Sequence, residues 1–323
     1  MSVKKTKRIT SIGGSALIEG IMMRGPKKVT VAVRKSNNDI YTEDVDFVPL
    51  TSKCKLFRIP IIRGIFGFID SMRLSYKSLM ISADKAIEGA EEEIKEESKS
   101  KFEEWLEDKL GDKITGIIMA IAMVLGIGLA ILLFFWLPSF LFNLISGLIP
   151  SLDNAIFRST FEGILKIVLF LGYIILCTMM PDMKRTFQYH GAEHKTIFCY
   201  EQEEELTVEN IRKQSRFHPR CGTSFMVLML IVGIVIGLFI PIKTPVLRSV
   251  VKILLLPFTM GIGYELIKLC GKHDNTLTRI IAAPGMWAQR ITTKEPDDKM
   301  IEIAIAAMKS VIPENGEDLL NTK

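Results

Sequence analysis

Tyr189-His190-Gly191-Ala192-Glu193-His194-Lys195 gathers two imidazoles and a carboxylate into one short stretch. On a helix, His190 and His194 lie one turn apart on one face, so both rings can reach a single metal ion. Glu193 stands beside them at i+3 from His190, a carboxylate able to take a proton from water. The order is the inverted zincin order, His-x-x-Glu-His, rather than the commoner His-Glu-x-x-His. A second polar cluster, Arg216-Phe217-His218-Pro219-Arg220-Cys221-Gly222, ends where the next apolar run begins. Three of the chain's four histidines lie in these two clusters. The expectation is a zinc site at the edge of the cytosol.

The ligand set stays open at this level. A closed, structural site would take His190, His194, His218 and Cys221. An open, catalytic one would take the histidine pair with a third ligand and leave Glu193 as the base. Glu265, in a later apolar run, is a further carboxylate that needs a partner or a function. Glu19 and Arg24, in the Gly-rich segment Gly13 to Pro26, are candidates for the same site. Without metal, Arg216, Arg220 and Lys195 would pair with Glu193 and brace a loop.

The elements that position these groups are mostly apolar blocks. Ile114 to Leu137, Phe161 to Met180, Thr223 to Ile240 and Val246 to Leu269 are each long enough for a hydrocarbon core of about 30 Å. Their few charges sit near the ends, where long side chains snorkel to the interface. The fold class expected is therefore an α-helical polytopic membrane protein of about four transmembrane helices, with a small N-terminal α+β cytosolic element. Its divisions run 1–57 (β-rich), 58–113 (amphipathic and charged helices), 114–270 (membrane domain, with the cytosolic loop 181–222 carrying the histidine motif) and 271–323 (C-terminal cytosolic segment).

Lys and Arg gather in Pro181 to Gly222, whereas Pro138 to Thr160 holds only Arg158. That asymmetry puts both termini and the stretch between the second and third runs on the cytosolic side of the membrane. No apolar leader follows the basic first residues, and the five cysteines form no CxxC pair, as suits a reducing compartment. The net charge of +5 is scattered and gives no argument for nucleic acid. There is no Gly-x-Ser-x-Gly elbow and no phosphate-binding loop.

Val29 to Arg34 alternates, Ser36-Asn37-Asn38-Asp39 is turn chemistry, and Ile40 to Val48 is again extended, which predicts a hairpin. Pro60 to Ala86 reads as an amphipathic helix for the inner leaflet or for a neighbouring domain. Glu88 to Asp112 reads as a charged, solvated helix or linker. Pro138 to Thr160 reads as a re-entrant or interfacial segment, Asp297 to Val311 as a docking helix, and His273 as a boundary residue.

Gly13 to Pro26, Tyr189 to Lys195, Arg216 to Phe225 and Ala283-Pro284-Gly285-Met286-Trp287 together resemble the YqhQ-like family of bacterial membrane proteins. The resemblance covers nearly the whole chain. It implies a cytoplasmic-membrane location and a domain of unknown function labelled a predicted metal-dependent enzyme. Two function classes follow as expectations. One is zinc-assisted hydrolysis of a peptide or lipid-derived substrate. The other is a non-enzymatic accessory factor for membrane-protein insertion or assembly that contacts client spans or a translocon. A homo-oligomer suits either. A transporter fits less well, because Glu162, Lys166 and Glu265 are few and near span ends.

Overall fold

The computed structural model describes residues 7–88, 113–272 and 275–320, with side chains at all of these except 113–120 and 272. The charged stretch read over Glu88 to Asp112 lies outside them beyond Glu88, as does His273. The chain divides into two compact units.

The first unit comprises Met1–Gly89, Leu171–Met229 and Pro257–Lys323. Its centre is a four-stranded antiparallel meander, β1 (Gly13–Leu17), β2 (Gly20–Arg24), β3 (Val29–Arg34) and β4 (Ile40–Asp44). The alternation in β3 and β4 gives the hairpin its pattern predicts, with Arg34 opposite Ile40. After α1 (Leu50–Lys53), the long helix α2 (Ile62–Ile87) packs Leu74 against Leu17, Met22, Val31 and Val33 on one face of the sheet.

Helices numbered in chain order then follow: α3 (Lys113–Ile131), α4 (Leu137–Leu148), α5 (Ala155–Thr178), α6 (Pro181–Glu201), α7 (Val208–Arg212), α8 (Gly222–Leu238), α9 (Pro245–Leu254), α10 (Leu256–Lys272), α11 (Thr276–Thr292) and α12 (Asp298–Val311). The other face of the sheet carries α6 and α12, whose Tyr189, Ala192, Met300, Ile301 and Met308 meet Ile21, Met23 and Ala32. Both faces of the sheet are thus covered, and β3 is buried from Val29 to Val33.

The histidine motif of the inter-span stretch 181–222 lies on a helix, α6, whose 21 residues are followed by the short α7. One sequence reading is corrected here: Pro138 is not the start of a separate re-entrant segment. The helix runs on from α3 to Leu148 through a π-helical turn, Leu132–Trp136. The wider turn accommodates Pro138, which lacks an N–H to give and sits in the first turn of α4, where that N–H is dispensable.

The stripe on α2 also faces differently from a soluble amphipathic helix. Asp70, Leu74, Ser78 and Ser82 point inward, and Asp70 accepts the Leu50 N–H at 2.9 Å. Ile69, Met72, Tyr76, Leu79 and Met80 are exposed.

The second unit comprises Ala90–Phe170 and Leu230–Leu256. Among the described helices, Ile121–Leu148 and Ala155–Thr178 are long and apolar enough to cross a membrane. The pair Pro245–Leu254 and Leu256–Gly271, bent by 50°, makes a third if it is one span. The sequence leads one to expect four; Gly222–Leu238, apolar throughout, stops at 17 residues.

The charges on these helices do not all snorkel. Glu162, 1% exposed, receives Arg248 Nε at 3.0 Å, the Ser139 hydroxyl at 2.9 Å and the Lys252 ammonium. Arg248 spends its other nitrogens on the carbonyls of Gly237 and Ile240 at the end of α8. Removing one partner of a buried ion pair strands the others. Glu162→Gln is therefore expected to destabilise the protein by about 3–5 kcal/mol, read as a lowered thermal midpoint in detergent. An unchanged midpoint would show that the cluster holds nothing together.

Candidate metal centre

Pro181 and Asp182 open α6 with residues suited to a helix N-terminus. From Gly191 to Glu201 every residue is buried, although the helix is as polar as a surface one. Buried polar groups need partners, and the partners come from distant segments. Lys195 donates to the Arg212 carbonyl at 3.0 Å and pairs with Glu295 at 2.7 Å. Gly191 permits the closest approach: a Cβ there would sit 2.0 Å from the Lys294 carbonyl oxygen. The strand-like link between α11 and α12 lies against the helix at that point, with Lys294 N–H donating to Phe187 O at 2.8 Å.

That approach orients the first histidine. His190 Nδ1 donates to the Thr292 carbonyl at 2.9 Å, and His194 Nδ1 donates to the Arg216 carbonyl at 2.6 Å. A carbonyl only accepts, so each ring carries a proton on Nδ1 and presents Nε2 to another partner. His190 Nε2 lies 3.2 Å from Cys221 Sγ. One ligand atom from each of His190, His194 and Cys221 falls within 4.8 Å of the others. Ligands around a tetrahedral zinc, at bond lengths of about 2.0–2.3 Å, lie about 3.3–3.8 Å apart, close to the 3.2 Å between His190 and Cys221.

The electrostatics agree with the geometry. Burial alone would raise the Cys221 thiol, but His190 and His194 draw it well below its ordinary value. Cys221 also precedes the N-terminus of α8, and its sulfur accepts the Thr223 N–H at 3.4 Å, both of which favour thiolate. Burial works to lower His190, yet the Cys221 thiolate and Glu193 lift it to about 9. Glu193 is raised, chiefly by burial, against the pull of the two histidines and the Gly14 N–H that its carboxylate accepts. Gly14 has no side chain for a reason: its Cβ would meet Met22 O at 2.6 Å and Glu193 Cγ at 3.0 Å. A cavity of about 550 Å³ opens onto this group, lined by β1 from Gly13 to Ala16 and by His190, Glu193, His194, Ile197, His218 and Cys221.

The remaining candidates go elsewhere. His218 faces Glu201 at 3.5 Å and is not one of the three converging ligands. Arg220 lines the cavity but its guanidinium is taken by Glu201 and the Thr10 carbonyl. Arg216 and Lys195 turn to Glu295. Glu19, in the tight turn after β1, binds Arg185 at 2.5 Å and the Tyr189 hydroxyl at 3.1 Å. Arg24 lies over the Phe47 ring. Glu265 accepts the Ile61 N–H at 3.3 Å and pairs with Arg63, fixing the start of α2.

Residues 59–314 match the family described as Protein of unknown function (DUF1385). Over 322 residues, 96% of this chain and 95% of the relative, the sequence is 33% identical to a protein of Bacillus subtilis (strain 168) described as Uncharacterized protein YqhQ. The chain belongs to the DUF1385 family, to which the YqhQ resemblance points. No solved structure matches it.

The converging ligands and their carboxylate fall inside the part matched to DUF1385. So does a residue the sequence reading passes over. Gln289, fully buried, accepts the His218 N–H at 2.7 Å and donates to the His218 carbonyl at 2.7 Å and the Ser224 hydroxyl at 2.9 Å. It fixes the segment that delivers Cys221. Gly285 in the Ala-Pro-Gly-Met-Trp motif makes this possible, since a Cβ there would meet Ser224 Cα at 2.6 Å. An amide of this kind carries no signal of its own in a sequence.

His218 gives a pH prediction. Burial and the Arg220 charge push it from 6.5 to about 4, despite Glu201. As pH falls through 6.5 the unfolded chain takes up this proton and the folded one does not, so stability declines until about 4. At about 1.4 kcal/mol per unit the loss is on the order of 3 kcal/mol. Thermal midpoints measured from pH 7.5 downward should show this decline in the wild type and a flatter profile in His218→Gln. Identical profiles would contradict it.

Proposed function

We propose that this chain is a multi-span protein of the bacterial cytoplasmic membrane that uses the His190–His194–Cys221 group to hold zinc for hydrolysis on the cytosolic side. The observation that carries the reading is the pair of Nδ1–H donations to backbone carbonyls, which turns both Nε2 atoms toward the place beside the thiolate where a metal would displace the His190 Nε2 proton. The apolar helices, with residues such as Val124, Leu125 and Leu176 about two-thirds exposed, support membrane embedding. The basic residues of 181–222 support the cytosolic placement of both termini. On this reading α8 is a fourth, short span.

Zinc bound there would act as a Lewis acid toward the substrate carbonyl and the attacking water. The chain's own contribution is proton handling. Glu193 takes a proton from the water as its oxygen bonds to the carbonyl carbon. It then returns the proton to the leaving group as the old bond breaks. Its raised carboxyl pKa brings it nearer the range such a shuttle needs. The buried Nδ1 contacts keep both rings from turning away.

One observation favours a second reading. His190 and Cys221, at 3.2 Å with a raised imidazole and a lowered thiol, would also serve as a metal-free nucleophile pair. The exposed apolar face of α2 suits the accessory-factor alternative.

Elemental analysis of purified Glu193→Gln, beside assays on a pool of fluorogenic peptides and lipid esters, separates them. The zinc reading expects about one zinc per chain to remain while turnover falls about 10²–10⁴-fold. Metal-free wild type that loses activity on alkylation of Cys221 would overturn it in favour of the nucleophile pair. Zinc with no hydrolysis of any member of the pool would favour the accessory role.

A further inference from the structure

The cavity beside the zinc ligands is bounded by the edge of a β-sheet, and that edge is unfinished. Among the described residues β1 pairs only with β2, in the order β1-β2-β3-β4. The turn between them is two residues long, Ile18 and Glu19, so Leu17 and Gly20 form the closing hydrogen-bonded pair. Counting back by twos, Ser15 and Gly13 direct their main-chain groups at β2. Gly14 and Ala16 direct theirs the other way, along the edge that lines the cavity.

What meets that edge is uneven. Toward its N-terminal end Thr10 is gripped, its N–H by Glu201 at 3.0 Å and its carbonyl by Arg220. The Gly14 N–H is given to Glu193. Beyond that point, among the described residues, the Gly14 carbonyl and the Ala16 N–H have no hydrogen-bond partner, and the Ala16 carbonyl meets only the Ser15 hydroxyl at 3.4 Å. Proteins usually blunt an open edge with lysine, proline or a bulge. This one is Gly-Gly-Ser-Ala, small and uncharged, so another backbone can approach it closely.

We propose that the open edge of β1 binds a peptide in extended form, pairing with Gly14 and Ala16 so that its backbone runs past Glu193 and the zinc ligands. A repeating donor and acceptor every second residue is what a polypeptide offers and a lipid ester does not. The inference rests on the hydrolytic reading of the site and narrows its substrate class to peptides.

The test uses the full-length, detergent-purified, zinc-loaded protein in its Glu193→Gln form, so that bound peptide is not consumed. The probe is a pool of fluorescein-labelled decapeptides of mixed uncharged residues, followed by fluorescence polarisation. Alongside it runs the same pool N-methylated at every backbone nitrogen, so that neither edge of the extended peptide can donate to the sheet. Ala16→Pro is the informative variant, because it deletes the outward N–H while leaving the β2 ladder intact. Either change should weaken binding by about tenfold, the worth of a net hydrogen bond or two, with zinc content unchanged. Equal binding of methylated and unmethylated pools, or no peptide binding by zinc-loaded protein, overturns the proposal. If Ala16→Pro does not fold, the N-methylated pool alone decides. Peptide binding that shows the expected losses in a protein that takes up no zinc would sink the hydrolytic reading and leave the edge site standing.

Discussion

The structure depends on burying a polar helix. From Gly191 onward α6 has no exposed residue, and it carries His194, two glutamates and a lysine into the interior, with half-buried His190 just before them. Each group left without a partner there would cost on the order of 1–3 kcal/mol. The surroundings answer group by group, from segments far apart in the chain. Thr292 and Arg216 supply carbonyls to the histidines, Gly14 an N–H to Glu193, Glu295 a carboxylate to Lys195, and Arg220 a cation to Glu201. The sheet, α11 and α12 are therefore held in place by the chemistry of one helix as well as by apolar packing.

The same demand explains why the candidate site is rigid. A ring nitrogen fixed on a main-chain carbonyl cannot flip without leaving both groups unpaired. Gly191 and Gly285 bring in the chain segments that carry Thr292 and Gln289, and neither position has room for a methyl group. Gln289 then closes the arrangement by holding His218 at both main-chain atoms, three residues before Cys221.

Much of this was legible in the residues alone, though unevenly. The i, i+4 spacing of His190 and His194 is a local property, and local periodicity survives folding. Cys221 was visible as a ligand type near another histidine. What spacing could not say is that His218 would turn to Glu201. His218 and Cys221 belong to the same short polar cluster and line the same cavity, and only the course of the backbone around Pro219 sets one beside Glu201 and the other beside His190. The burial of α6 was not legible, because a sequence shows polarity but not the partners that make burial affordable. Pro138 argued for a break, because the wider turn that absorbs it has no compositional mark. In the second unit the positions of Glu162, Arg248 and Lys252 along their apolar runs suggest only end-of-span charges. Their meeting depends on how α5 and α9 pack, which no single helix encodes.

The most direct measurement is X-ray absorption at the zinc edge on wild-type protein loaded with one equivalent of the metal. The account predicts a first shell with two imidazole nitrogens at about 2.0–2.1 Å and one sulfur at about 2.3 Å, completed by a light atom. A shell without sulfur, or zinc that washes out of folded protein, would mean that His190, His194 and Cys221 converge for some other reason.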